Sequence, residues 1–154
     1  MEAFRITTKK WANKLTASGF AARWNSEGIF VLYATENRSL ACLENLVHRN
    51  GFGLNDNFCV ITISIPDHLK TAEISIGNLP EGWDFQDEAA HLICRNFGDQ
   101  WIFDQRYAVL KVPSAIVKNE FNILINPNHK DFGKIVIKSI EKFTFDNRLK
   151  NKEI

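Results

Sequence analysis

The sequence has almost no charge of one sign left over. Its 19 Lys and Arg stand against 18 Asp and Glu, a formal charge of +1, and no basic arm or long Lys/Arg run marks a nucleic-acid footprint. The short cluster Arg148, Lys150 and Lys152 reads as a frayed, solvated end. Long apolar runs are missing too. None approaches the roughly 20 residues that a membrane helix needs, and the start, Met1-Glu2-Ala3-Phe4-Arg5, has no apolar leader region. The expectation is a soluble, cytoplasmic protein with no direct contact to membrane or nucleic acid. Cysteine is scarce. Cys42, Cys59 and Cys94 are odd in number and far apart, with no Cys-x-x-Cys pair, which argues against a disulfide framework and a zinc knuckle. Their apolar neighbours suggest buried, inert thiols. Also absent are Gly-x-Gly-x-x-Gly, a Walker loop, His-Glu-x-x-His and Gly-x-Ser-x-Gly. His48, His68, His91 and His129 show no ligand spacing, so no metal is expected.

What is present suits one domain. A chain of 154 residues that is 45% hydrophobic can bury one sizeable core, and no repeat or linker divides 1–154. Trp11 and Leu15, four apart before Gly19, suggest a helix over 8–18. The apolar run 29–34 predicts a buried strand. Leu40, Leu43, Leu46 and Val47 form one stripe of a helix over 39–49 that Asn50-Gly51 stops. Glu44 sits at the stripe's edge and His48 follows by one turn. A strand is predicted over 58–65, ended by Pro66, and a loop over 78–83. Asp84 would cap a helix over 84–97 with Gly98 as its stop. Strands are predicted over 107–112 and 122–125, and one long or two broken strands over 134–145. This order lacks regular βαβ alternation. It implies an α+β domain with largely antiparallel sheets and flanking helices.

Several polar residues stand in awkward places. Arg23 adjoins Trp24 before a buried strand, Tyr33 is near that strand's end, Ser114 follows Pro113, and Asn122 and Asn126 flank an apolar strand. Each has a plain reading. Arg23 can stack on Trp24, Tyr33 can send its hydroxyl to water, Glu44 can pair with His48, and Ser114 can brace a turn.

In order along the chain, a series of stretches resembles the RES domain, a family named for recurring Arg, Glu and Ser. They are Phe4-Arg5-Ile6, Arg23-Trp24-Asn25 with Gly28, Val31-Leu32-Tyr33-Ala34, Ser39-Leu40-Ala41, Leu43-Glu44, Leu46-Val47-His48 and Ile65-Pro66. Gly98-Asp99-Gln100-Trp101, Val112-Pro113-Ser114-Ala115 and the run from Asn122 to His129 through Asn126-Pro127 complete the series. Single tetrapeptides are weak signals, whereas the ordered series spans nearly the whole chain. The resemblance implies a toxin of a type II toxin–antitoxin pair with a fold like that of ADP-ribosyltransferases and NAD as a consumed substrate, not a resident cofactor. Some members use phosphate as acceptor, some use water, and some transfer ADP-ribose to a protein. The implied partner is an Xre-type antitoxin whose C-terminal part covers the pocket, with either one toxin copy or a homodimer in the complex. By position, the implied catalytic residues are Arg23, Tyr33, Glu44 and Ser114. Substrate contacts fall to Arg5, Asn25, Asn122 and Asn126, with the role of Arg5 least defined. Two departures, Ala22 where a Gly often precedes Arg-Trp and Lys130 where a Pro is usual, leave the loop geometry and acceptor preference open.

The chemistry suits these residues. Glycoside hydrolysis usually needs two carboxylates, one of them to protonate the leaving oxygen. Nicotinamide is cationic while bonded and leaves neutral, so a single carboxylate suffices, and Glu44 is the candidate. A carboxylate half turned to the core also needs a nearby donor to stay ionised. Arg23 has the guanidinium fork that matches a pyrophosphate or a free phosphate. Tyr33 is expected to stack on nicotinamide or bond a ribose, and Ser114 to bond the amide or a phosphate. A transferase that modifies a host protein would use the same residues. A binding module that only pairs with its partner would use none of them.

Overall fold

The computed structural model describes residues 1–150. The chain opens with a strand that the sequence reading did not place, β1 (Glu2–Thr8). The predicted helix over 8–18 does not form. Lys9–Trp11 make a single 3-10 turn, and the Lys9 amide donates to Asn57 O at 2.8 Å. Trp11 is half exposed, so its spacing to Leu15 carries no packing meaning. After a long loop come β2 (Leu32–Thr35) and α1 (Arg38–Arg49). β2 begins later than residue 29 because Ile29 belongs to the loop: its amide donates to Ser26 O and its carbonyl accepts from Asn25.

Helix α1 starts where Asn37 Oδ1 accepts from the Leu40 amide at 2.7 Å, a side-chain N-cap. It ends at Asn50, whose φ of 49° is left-handed. Of the predicted stripe only Leu40 is fully buried, with Leu46 partly so, while Leu43 and Val47 stay exposed. Next are β3 (Phe58–Ser64) and β4 (Thr71–Glu73), the latter unforeseen. Helix α2 (Glu88–Asp104) is capped by Asp87, not Asp84, and runs straight through Gly98. Pro80 and Gly82 carbonyls hold residues 83 and 85 in turns, which delays the helix start. β5 (Val109–Pro113), β6 (Phe121–Ile125) and one unbroken β7 (Val136–Phe143) complete the set. Arg148 and Lys150 belong to or follow a 3-10 turn, not a frayed end, with Arg148 paired to Asp146. Lys152 lies outside the described residues.

The seven strands form one sheet, in the order β4-β5-β6-β2-β1-β3-β7. Only β4 and β5 pair in parallel, so the expected antiparallel α+β domain stands, built on one sheet instead of several. The ladder is uneven. β1 meets β3 along its whole length, from Glu2↔Ser64 to Thr8↔Phe58, whereas β1 meets β2 at the single pair Phe4↔Thr35. The sheet is therefore two leaves, β4-β5-β6-β2 and β1-β3-β7, joined at one narrow seam. Helix α1 packs over that seam, against β1 and β2.

Alternation along the strands sorts side chains to two faces. Leu32, Ala34, Ile61, Ile63, Ile123 and Ile125 share one face. Tyr33, Leu124 and Val112 look to the other, where Trp24 and Trp83 pack with Cys94 and Trp101 of α2. Gly98 explains how closely α2 approaches: a Cβ there would lie 1.8 Å from the Trp24 carbonyl oxygen. That glycine is a contact point, which is why it does not end the helix. Cys59 and Cys94 are buried as expected, while Cys42 is partly exposed.

Candidate active site

Helix periodicity puts Glu44 and His48 on one face of α1, one turn apart. Glu44 bends back to the sheet, where Oε1 accepts from Asn122 Nδ2 at 2.8 Å. Its Oε2 lies 3.2 Å from His48 Nε2. Asn122 is held on β6 between its cross-strand partners Thr35 on β2 and Val112 on β5. The carboxylate is 18% exposed, and the imidazole 75%. Glu44 thus has the donor that a half-buried carboxylate requires. Its bond raises the His48 pKa above the ordinary value, with burial and the Arg23 charge pulling the other way. The far side of the Asn122 amide is unmatched: Oδ1 is buried without a hydrogen-bond partner.

A second cluster forms around residues 20–29. The Tyr33 hydroxyl accepts from the Trp24 amide at 3.1 Å and donates to Asn25 Oδ1 at 2.7 Å. Burial pushes its pKa well above the usual phenol range, so it stays a neutral linker. Asn25 Nδ2 reaches the carbonyls of Phe20, Ser26 and Ile29. Every polar atom of the Asn25 side chain is spent on folding the loop. Helix α2 grips the same loop, since Asp99 accepts from the Ser26 amide and hydroxyl and Arg95 Nε donates to Ala22 O. These anchors sit 73 residues further along the chain, and no local pattern announces them.

Arg23 emerges from this loop and donates to Trp83 O at 2.9 Å and to Phe85 O at 3.2 Å. No carboxylate pairs with it among the described residues. Its uncompensated charge depresses His91, after burial, and acts on His48. The influence of Arg23 on His48 is weaker than that of Glu44 and of burial. The stacking of Arg23 on Trp24 that the sequence allowed is replaced by a bridge between two loops.

The remaining expected residues are dispersed. Ser114 is buried just beyond Val112, and its hydroxyl oxygen accepts from the Ile116 and Val117 amides at 3.0 and 3.1 Å. It braces the β5–β6 turn, near Asn122 but facing its own loop. Asn126 directly follows β6, about 13 Å further along the chain than Asn122. It accepts from the Asn128 amide, and its Nδ2 is buried without a partner. Arg5 pairs across the ladder with Ile61 and so lies on the opposite face from Tyr33 and Asn122. It donates to Thr16 O at 2.9 Å, and burial lowers its pKa. His48 is the residue that sequence reasoning took only as a bystander, although its one-turn spacing from Glu44 was the available signal. Among the described residues no three His, Cys, Asp or Glu side chains are grouped to hold a metal, and no helix is long and apolar enough to cross a membrane.

The sequence profile of the RES domain matches residues 2–146. The chain belongs to the RES domain family. This RES domain is 45% identical to the Prs ADP-ribosylating toxin of Sphingobium sp. (strain YBL2), over 82% of the chain and 79% of that relative. It is 31% identical to a toxin Res of Yersinia enterocolitica, over 97% of the chain and all of that relative. Its fold matches a chain from the M. tuberculosis MbcT–MbcA toxin–antitoxin complex with a TM-score of 0.77, covering 93% of this chain and 84% of that one at 16% identity.

Proposed function

We propose that this RES-domain protein is the toxin of a toxin–antitoxin pair and breaks the bond between nicotinamide and ribose in NAD. The observation that carries this reading is Glu44, a carboxylate only 18% exposed and anchored by Asn122. Glu44 holds a ribose hydroxyl and stabilises the positive charge that develops as nicotinamide leaves. The low exposure of the carboxylate strengthens that field. Arg23 retains N–H donors beyond those given to Trp83 and Phe85 and turns them to the pyrophosphate. Asn122 Oδ1 is a buried, unmatched acceptor on the residue that anchors Glu44, and a ribose hydroxyl or the nicotinamide amide would satisfy it if the site moves to admit one. Tyr33 and Asn25 act at one remove, by fixing the loop that carries Arg23. NAD is a substrate in this scheme, and inorganic phosphate is one candidate co-substrate.

The acceptor is water, phosphate or a protein side chain. The protein-directed alternative is favoured by one observation, the name of the 45% identical relative as an ADP-ribosylating toxin. The proposed partner is an Xre-type antitoxin that covers the Glu44 cleft. The test mixes purified protein with NAD, with and without phosphate, and follows nicotinamide. Phosphate-dependent release identifies a phosphorylase, and phosphate-independent release a glycohydrolase. A mass increase on a cellular protein, without bulk release, identifies a transferase. No release and no modified protein overturns the enzymatic reading.

A further inference from the structure

A second concavity, of ≈ 390 Å³, lies between the end of β1, the end of α1 and the loop that enters β3. Glu44, His48, Asn122 and Arg23 are not among its lining residues. Arg49 is five residues beyond Glu44, about 140° around the helix, and so faces away from it. The pocket's walls are fixed. The Lys9 amide donates to Asn57 O at 2.8 Å, and the Asn57 amide donates to Asn55 Oδ1 at 3.0 Å. The floor is Phe58, 1% exposed and packed edge-on against Phe145. The Arg49 guanidinium lies over the Phe58 ring at 5.0 Å, which orients its fork.

The charge of the lining is one-sided. Lys9, Lys10 and Arg49 line the pocket, and no carboxylate does. Some cations elsewhere are ion-paired, as Arg38 with Glu141, Arg95 with Glu88, Lys134 with Asp131 and Lys138 with Glu2, while others, Arg23 among them, are not. None of the three pocket cations has an ion-pair partner among the described residues. In a chain with a net charge of only +1, such a local excess is not a by-product of overall basicity. An extended polyanion would need a broad basic surface, which this composition does not supply. A small, concave, cationic pocket at the lower end of ligand-site volumes fits a compact anion. The Arg49 fork and the Lys9 ammonium match phosphoryl oxygens, with Lys10, whose Nζ rests over the Trp11 ring at 5.0 Å, adding charge at the edge.

We propose that this pocket is a second binding site, separate from the Glu44 cleft, for a small phosphate-bearing molecule. Free phosphate or pyrophosphate and a phosphorylated metabolite present the same chemistry, and the experiment separates them. Calorimetry on the full chain carrying Glu44→Gln and Arg23→Ala, which silences the cleft, uses ADP, pyrophosphate, inorganic phosphate and adenosine as probes. The expected result is binding of a phosphoryl probe with a Kd below about 1 mM at low salt, weakening as salt screens the cations, with adenosine silent. Lys9→Ala/Lys10→Ala/Arg49→Ala lowers that affinity at least ~10-fold. Should the triple variant fail to fold, exposed Arg49→Gln alone lowers it measurably. Equal binding of pyrophosphate and ADP identifies the free anion, and tighter ADP binding identifies a phosphorylated metabolite. Absence of binding by every phosphoryl probe, or affinity unchanged by removing the pocket cations, overturns the proposal. Neither outcome depends on whether the protein cleaves NAD.

Discussion

Asn122 donates to Glu44 across 2.8 Å, joining residues 78 positions apart on β6 and α1. That bond holds a carboxylate at the sheet surface that would otherwise extend along its helix. Replacing Glu44 with Gln keeps the shape and removes the charge. Nicotinamide release should fall by about 10²–10³-fold, the usual cost of losing one electrostatic stabiliser, with the thermal midpoint little changed. Retained release or retained toxicity would remove Glu44 from the mechanism.

Asn122→Asp should be more damaging than its size suggests. Two facing carboxylates repel, and each disfavours ionisation of the other. The acidic limb of the rate profile should move to higher pH, which a steady-state pH series would detect. Asn122→Ala should instead lower the rate without moving the limb, and should cost about 1–3 kcal/mol in urea unfolding through the lost buried bond.

His48 gives a pH dependence whose sign follows from its raised pKa. Its folded value lies above the unfolded one, so the pairing with Glu44 stabilises fully below the unfolded pKa. The contribution is lost as pH rises through the folded value. With the imidazole 75% exposed, that contribution is small, a few tenths of a kcal/mol. The larger effect concerns access to Glu44. A neutral imidazole releases the carboxylate to substrate, so kcat/KM should rise as pH passes the His48 pKa. His48→Asn should flatten that limb, and an identical profile in the variant would refute the link.

Gly98→Ala tests how the Arg23 loop is held. The new methyl would meet the Trp24 carbonyl oxygen at 1.8 Å, and backbone cannot yield as a side chain does. Destabilisation of at least about 3 kcal/mol is expected, at the upper end of overpacking costs. Any folded fraction should show a raised KM for NAD, because Arg23 rides on the displaced loop. Wild-type stability in urea would contradict the close approach.

Strands β3 and β6 were legible because their apolar runs match the buried sheet, and helix α1 because of its Asn50-Gly51 stop, although half of its expected stripe is exposed. The 8–18 helix was a misreading: Thr8 completes a ladder with Phe58, a contact 50 residues away that local spacing does not encode. Gly98 and Asp84 misled for a related reason, as the first answers a long-range packing contact and the second sits in a turn set by Gly82. In the site, Arg23 and Glu44 were singled out through the ordered resemblance, and the bond of Glu44 to Asn122 needed the fold. The structural uses of Asn25, Tyr33 and Ser114, and the placement of Arg5 on the far face, follow from hydrogen bonds and strand register that sequence alone does not supply.

The single Phe4↔Thr35 pair leaves the two leaves of the sheet with hardly any backbone stitching between them. What clamps them is α1: Asn45 reaches Ile6 O and Arg38 reaches Glu141 on one leaf, while Asn37 reaches Glu120 and Glu44 reaches Asn122 on the other. The acidic residue proposed for the chemistry is also one rivet of the clamp. Any movement of Glu44 away from Asn122 would therefore loosen the join between the leaves, tying the freedom of that one carboxylate to the stiffness of the sheet.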